Sequence, residues 1–222
     1  MDDRTHAEVD EARPRRGRPR GNPATADARQ KMLRSGLLHL TERGYSAVGV
    51  DEILHHARVP KGSFYHYFRT KDAFGSALIE AYHNYFVAML ESSLSDSDLA
   101  PLDRLRRFTR EAEAGMARHD FRRGCLLGNL GQEMGALPDA FRQQILDKFE
   151  DWQMRTARCL KLAQDAGEVA FHHDVNALAA FFWTGWEGAV LRAKLERRGE
   201  PLRLFASLFF DLARSGKGES HV

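Results

Sequence analysis

Cys125, Asn129 and Glu133 stand four residues apart in GCLLGNLGQEMG, so on a continuous helix a thiol, an amide and a carboxylate share one face. Cys125 follows Arg122 and Arg123 near the start of the helical pattern expected over residues 122–135. Neighbouring cations and a helix N-terminus both stabilise a thiolate, and a thiolate adds to electrophilic carbon. Reversible binding without a bond to sulfur is an equal alternative. Beside that face runs a stripe of Gly124, Gly128, Gly131 and Gly135. Four glycines disfavour a helix by about 3–4 kcal/mol against alanines, so either a neighbouring helix packs closely there or a ligand lies on bare backbone. The bland alternative puts Glu133 in solvent and makes Cys125 an inert buried residue.

A second group of residues points to a different partner. In VPKGSFYHYFRTKDAF (59–74), Phe64 and Phe68 stand at i and i+4 and face inward on a helix, which leaves Lys61, Ser63, Tyr65, His66 and Tyr67 on its outer faces. Gly62 lets the helix N-terminus approach a phosphate, where free N–H groups and the helix dipole favour an anion. Helical periodicity predicts a first helix over 26–43, ended by Gly44, and a second over 50–57 that buries Val50, Ile53 and Leu54. The turn Arg58-Val59-Pro60 leads into the third helix, which runs through Phe68. A fourth begins near Lys71 and continues past Phe86. Two short helices joined by a tight turn, the second basic and aromatic, form a helix-turn-helix.

Charge is concentrated in the same region. The net charge is only +2, yet residues 13–71 carry 13 Lys and Arg against 4 Asp and Glu. A positive field over one segment is the footprint of a phosphate-binding module, the alternative being a solvated basic face. Within it, PRRGRPRG (14–21) resembles a minor-groove arm in which Pro and Gly hold Arg16, Arg18 and Arg20 extended. A solubilising tail is the alternative reading.

The remaining chain is helical in pattern over 102–118, 122–135, 138–166, 175–197 and 200–214, and no strand pattern of useful length occurs. The expected fold is all-α: a flexible basic arm (1–23), a three-helix helix-turn-helix domain (24–70), and a helical ligand-binding and dimerisation domain (71–222). The apolar run at 178–183, even with Ala177 before it, is too short to cross a membrane. An acidic N-terminus argues against a signal peptide, and two isolated cysteines, Cys125 and Cys159, argue for reduced thiols in the cytoplasm. Asp174 in His172-His173-Asp174 reads as a helix cap rather than a metal ligand. GNLGQEMG lacks the strand that a dinucleotide site needs. No Ser/His/Asp set or carboxylate pair can be placed, so neither an enzyme nor a cofactor or metal is expected.

GYSAVGVDEILHHARVPKGSFYHYFRTKDAFGSALIEAY resembles the DNA-binding signature of the TetR family of bacterial repressors, over about residues 28–82. The resemblance implies about nine helices, a homodimer, double-stranded operator DNA as partner and an effector pocket in the C-terminal domain. It also implies DNA contacts from Lys61, Gly62, Ser63, Tyr65, His66 and Tyr67, with Lys71 gripping a phosphate. Val48-Gly49 departs from the family pattern where a hydroxyl usually caps the second helix, which puts one phosphate contact in doubt.

The segments GMARHDFRRGCLLGNLGQEMGALPDAFR and AFFWTGWEGAVLRAKLE, with RRGRPRG, resemble acrylate-responsive members of that family. That resemblance implies control of acrylate and dimethylsulfoniopropionate breakdown, with acrylate-type small acids as inducers. On that reading a small pocket lies between the 122–135 and 175–197 helices, bounded by Cys125, Asn129, Trp183 and Trp186, with Glu133 on the same face. Arg122, Asn129 and Arg192 would meet the carboxylate, because a buried carboxylate needs cations or several N–H donors. Gly185, Gly188, Ala189, Leu204, Phe205, Leu208 and Phe209 would close a homodimer through the last two helices. Two alternatives are a regulator of another electrophile or of efflux, and an architectural DNA-binding protein without an effector.

Overall fold

The first two helices pack because small and apolar residues recur where they cross. α1 (Pro23–Arg43) ends at Gly44, whose φ of 87° lies in the left-handed region that glycine adopts without strain. α2 (Val50–Ala57) follows and buries Ile53 and Leu54. Ser35 of α1 donates its hydroxyl to the Ile53 carbonyl at 2.9 Å, which pins the two together. The turn after α2 places Arg58 at φ 55°, with the Val59 N–H returning to the Leu54 carbonyl at 3.0 Å, and Pro60 opens α3 (Lys61–Tyr67). Phe64 and Phe68 are buried, and both meet Phe74 of α4 (Lys71–Leu94), at ring-centroid distances of 5.5 and 4.8 Å.

The computed structural model describes residues 23–214. Arg16, Arg18 and Arg20, and all of the arm before Pro23, lie outside them. Among the described residues the fold is all-helical and no helix is long and apolar enough to cross a membrane. After α4 come α5 (Pro101–Ala117), α6 (Leu126–Gln132), α7 (Asp139–Asp165), α8 (Val175–Glu196) and α9 (Glu200–Arg214). Thr70 caps α4 by accepting from the Ala73 N–H at 3.0 Å, and Asp174 caps α8 by accepting from the Asn176 N–H at 2.9 Å. α8 runs through the centre of the larger domain, between α7 and α9. Its Trp183 sits in an aromatic core with Phe86, Phe108 and Trp152, and donates Nε1–H to the buried Thr156 hydroxyl at 3.0 Å.

One expected element is broken. Residues 122–125 are not helical, α6 is seven residues long, and a 3-10 turn over Met134–Ala136 follows it. Asp120 and Phe121 both take positive φ, of 50° and 53°, so the chain turns sharply before it can start a helix. The glycines that weaken the helix are part of the cause. The close-packing reading of the glycine stripe holds at Gly128, where a methyl would strike Glu187, whereas Gly131 and Gly135 face open space.

Gly75 of α4 sits where three elements meet. A methyl there would lie 2.5 Å from Phe141 Cζ and 2.9 Å from Tyr45 Cε2. Alanine normally favours a helix over glycine by about 1 kcal/mol. At this position we expect Gly75→Ala instead to destabilise by about 1–3 kcal/mol through overpacking. A thermal melt at or above the native midpoint would refute this.

Candidate functional site

α3 presents an exposed polar surface. Lys61, Gly62, Tyr65 and His66 are exposed, while Ser63 and Tyr67 are half-buried. Lys61 Nζ pairs with Asp51 of α2 at 2.8 Å, a contact in solvent that a phosphate can replace. Lys71 is placed differently from the outward, phosphate-gripping position expected of it. Its Nζ donates to the Tyr45 carbonyl at 2.9 Å and lies 4.3 Å from the centre of the Tyr45 ring. Lys71 therefore ties the start of α4 to the α1–α2 connection, where the Tyr45 hydroxyl also donates to Asp72 at 2.9 Å.

The C-terminal turn of α1 is where the two domains are joined. The Leu40 carbonyl takes the Gly44 N–H at 3.0 Å, but the Thr41 carbonyl has no helical partner and needs donors from elsewhere. Asn129 of α6 supplies Nδ2–H to the Leu40 and Thr41 carbonyls, both at 3.0 Å. The Gly124 N–H and the Lys194 ammonium of α8 also reach the Thr41 carbonyl, each at 3.1 Å. Just beyond, Glu133 accepts from the N–H groups of Tyr45 and Ser46 at 2.9 and 2.7 Å. It lies so close to Gly44 that a side chain there would strike its carboxylate. Asn129 and Glu133 thus hold the end of α1 and the α1–α2 connection, and neither lines the cavity beside Cys125.

A cavity of about 380 Å³ opens on the other side of the same turn. It is walled by Arg34, Leu37, Leu38 and Thr41 of α1, Tyr82, Tyr85, Phe86 and Met89 of α4, and Trp186, Glu187 and Val190 of α8. Arg118, His119 and Arg123 line it from the end of α5 and the segment after it, and Cys125 lies at its inner wall. Of the expected ligand residues, Cys125 and Trp186 line this cavity. Trp183 is in the core, and Arg122 is exposed outside the cavity. Arg192 is exposed on the far face of α8, paired with Glu196 through Nε at 2.8 Å. Trp183 does not intrude on the cavity and Trp186 only walls it. The cavity falls at the lower end of the range for ligand pockets.

The comparisons with known proteins agree on what carries such an arrangement. A profile for "Bacterial regulatory proteins, tetR family" matches residues 37–78, and one for "Tetracyclin repressor-like, C-terminal domain" matches residues 101–209. The chain belongs to the TetR family of transcriptional regulators. It is 63% identical over 197 residues to the transcriptional regulator AcuR of Cereibacter sphaeroides, covering 89% of this chain and 90% of that one. It is 34% identical to the HTH-type transcriptional repressor DhaR of Mycobacterium sp. (strain GP1), covering 85% and 93%. The crystal structure of a regulatory protein TetR from Rhodobacter sphaeroides superposes with a TM-score of 0.82 at 62% identity, covering 83% of this chain and 98% of that one. The reduced form of Escherichia coli NemR superposes with a TM-score of 0.77 at 28% identity, covering 84% and 96%.

Within this TetR-family chain the inner wall of the cavity carries a group the sequence reading missed. Glu187 lies against Gly128 and Cys125. Burial pushes its carboxyl up to about 7, although the Cys125 thiol pulls in the other direction. The Cys125 thiol is itself pushed well above its ordinary value, first by burial and then by the charge of Glu187, against the Gly128 N–H and the Tyr82 hydroxyl, which pull it down. The lowered thiol expected from Arg122 and Arg123 is therefore overturned: Cys125 precedes α6 in a buried, non-helical position and Arg122 points to solvent. One signal was available in the sequence. Glu187 is the single acid in the apolar run from Val175 to Leu191.

The raised Glu187 carboxyl has a consequence for stability. Its folded value of about 7 lies above its ordinary value of 4.5, so its stabilising share is complete below pH 4.5 and is lost as pH rises through 7. Above that, folding buries a charge. Glu187→Gln should therefore raise stability at pH 8 by about 1–3 kcal/mol, and by much less at pH 5. Thermal melts at both values check this; an equal effect at the two pH values contradicts it.

Proposed function

We propose that this TetR-family chain is a ligand-responsive repressor that binds operator DNA as a homodimer and is released by acrylate or a similar small unsaturated acid or electrophile. The observation that carries the reading is that α1 belongs to both sites. One side of its C-terminal half walls the cavity, and Ser35 in the same half holds α2 of the helix-turn-helix. A ligand that displaces the cavity wall thereby moves the DNA-reading helices, and the differential affinity of the two arrangements for ligand and DNA supplies the coupling. Arg34, Arg118 and Arg123 suit the carboxylate of an acid, replacing Arg122 and Arg192 in that role. The apolar part of the cavity suits a short alkene. The resemblance of the C-terminal segments to acrylate-responsive family members supports control of acrylate and dimethylsulfoniopropionate breakdown in the cytoplasm, and the high identity to AcuR accords with it.

DNA contact is assigned to the outer surface of α3, from Lys61, Gly62, Ser63, Tyr65, His66 and Tyr67, and to the arm with Arg16, Arg18 and Arg20. Lys71 is assigned to the joint, with its remaining N–H groups available to a phosphate. Dimerisation through α8 and α9 accords with the exposed apolar side chains of Phe181, Leu204, Leu208 and Leu212. Gly188 is open on that face, whereas Gly185 and Phe209 pack within the chain.

A gel shift with the chain's own upstream DNA, titrated with acrylate, tests the reading. Release of the DNA supports it, and retention at all acrylate concentrations with release by an unrelated ligand sinks it. Cys125→Ser reads the thiol's share: an unchanged release curve means that sensing is non-covalent. The joint is tested separately. Glu133→Ala leaves the Tyr45 and Ser46 N–H groups without their acceptor, which should destabilise by about 1–3 kcal/mol and raise the acrylate needed for release. A release curve unchanged in a folded variant would remove Glu133 from the coupling.

A further inference from the structure

Cys125 poses a chemical problem that the cavity itself answers. A neutral thiol is a weak nucleophile, and burial keeps this one neutral. Arg122 is turned to solvent, and the groups that act on the thiol are Glu187, Gly128 and Tyr82. What touches it is an acceptor. The Glu187 carboxyl and Cys125 both lie against the bare backbone of Gly128: a methyl at Gly128 would strike Glu187 Oε2 and lie 3.6 Å from Cys125 Cβ. The thiol interacts with that carboxyl on one side and with the Tyr82 hydroxyl and the Gly128 N–H on the other. Tyr82 and the amide are donors suited to a sulfur anion, and Glu187 is placed to receive its proton. The pair faces the cavity, which Arg34, Arg118, His119 and Arg123 also line, together with Tyr85.

We propose that Glu187 is the general base for thiol addition at Cys125, accepting the Cys125 proton as Sγ bonds to the β-carbon of an α,β-unsaturated acid or amide. The S–H bond and the alkene π bond break. An S–C bond forms at the β-carbon, and Glu187 returns the proton to the α-carbon. Nothing is oxidised or reduced, and no further reactant is needed. The arginines that line the cavity hold the carboxylate of an acid, which orients its alkene toward sulfur. A general base works best when its pKa lies near the working pH, and the carboxyl of Glu187, at about 7, meets that condition. The proposal rests on reading the cavity as the inducer site.

The test follows alkylation of full-length protein by acrylamide and by acrylate with intact-mass spectrometry, using Cys125→Ser to assign the adduct. The wild-type rate should fall as pH drops through about 7, because the protonated carboxyl cannot accept. Glu187→Gln should slow Cys125 alkylation about 100-fold near neutrality, with rate recovered only at alkaline pH where the thiol ionises unaided. Glu187→Asp should keep the neutral pH dependence at a reduced rate. Each variant is checked by thermal melt, so that a loss of fold is not read as a loss of base. An Asp variant indistinguishable from Gln, or a Gln variant that reacts at the wild-type rate and pH profile, overturns the proposal. A gel shift in parallel separates the two readings. Release of DNA by acrylate without alkylation of Cys125 removes the role of Glu187 and leaves the inducer assignment intact. Glu187-dependent alkylation without release does the reverse.

Discussion

The last turn of α1 ends in carbonyl groups that the helix cannot satisfy, and much of the joint between the two domains consists of the donors that come to meet them. Those donors come from distant parts of the chain: the side chain of Asn129, the backbone of Gly124 and the ammonium of Lys194. One residue further on, Glu133 holds the N–H groups of Tyr45 and Ser46, while Lys71 takes the Tyr45 carbonyl. A buried carbonyl without a donor costs about 1–3 kcal/mol, so these contacts are held strongly enough to persist and weakly enough to rearrange. That balance suits a joint between a sensor and a reader.

The same constraint explains why α6 is short. A continuous helix over 122–135 would carry Asn129 and Glu133 on one straight face. The observed chain instead turns at Asp120 and Phe121, gives the Gly124 N–H to Thr41, and ends α6 where Glu133 can reach the α1–α2 connection. Glycine at 44 completes the fit, since it takes a positive φ and leaves room for the Glu133 carboxylate. Helix propensity was traded for contacts across the domain boundary.

This division marks what the sequence could and could not reveal. The helix-turn-helix was legible because its determinants are local: the inward pair Phe64 and Phe68, the Pro60 stop and the Gly44 terminator. The long helices α5, α7, α8 and α9 were legible through apolar spacing alone. The cavity was legible only in part. Cys125 and Trp186 were placed at it, but Asn129 and Glu133 were read as ligand groups because their spacing shows a shared face and not what that face packs against. Their partners lie 87 to 89 positions away, beyond the reach of periodicity. The tie of Lys71 to the Tyr45 carbonyl was beyond periodicity for the same reason. Glu187 left a trace, an acid within an apolar helix, but only the packing on Gly128 and Cys125 gives that trace a meaning.

A buried thiol beside a carboxyl that titrates near neutrality behaves unlike an exposed, low-pKa thiolate. A standing thiolate reacts with any soft electrophile or oxidant that reaches it, so its selectivity rests on access alone. Here burial holds sulfur neutral, and on the proposed reading Glu187 acts as a base only when a molecule fills the cavity and brings an electrophilic carbon against Cys125. Binding would then precede reactivity, with the arginines that line the cavity selecting the molecules that bind. The energetic burden of holding an acid in a mostly apolar wall is modest while that acid is protonated, and it grows as pH rises. The arrangement therefore sacrifices some stability in alkaline conditions for a thiol that is quiet until the cavity is occupied.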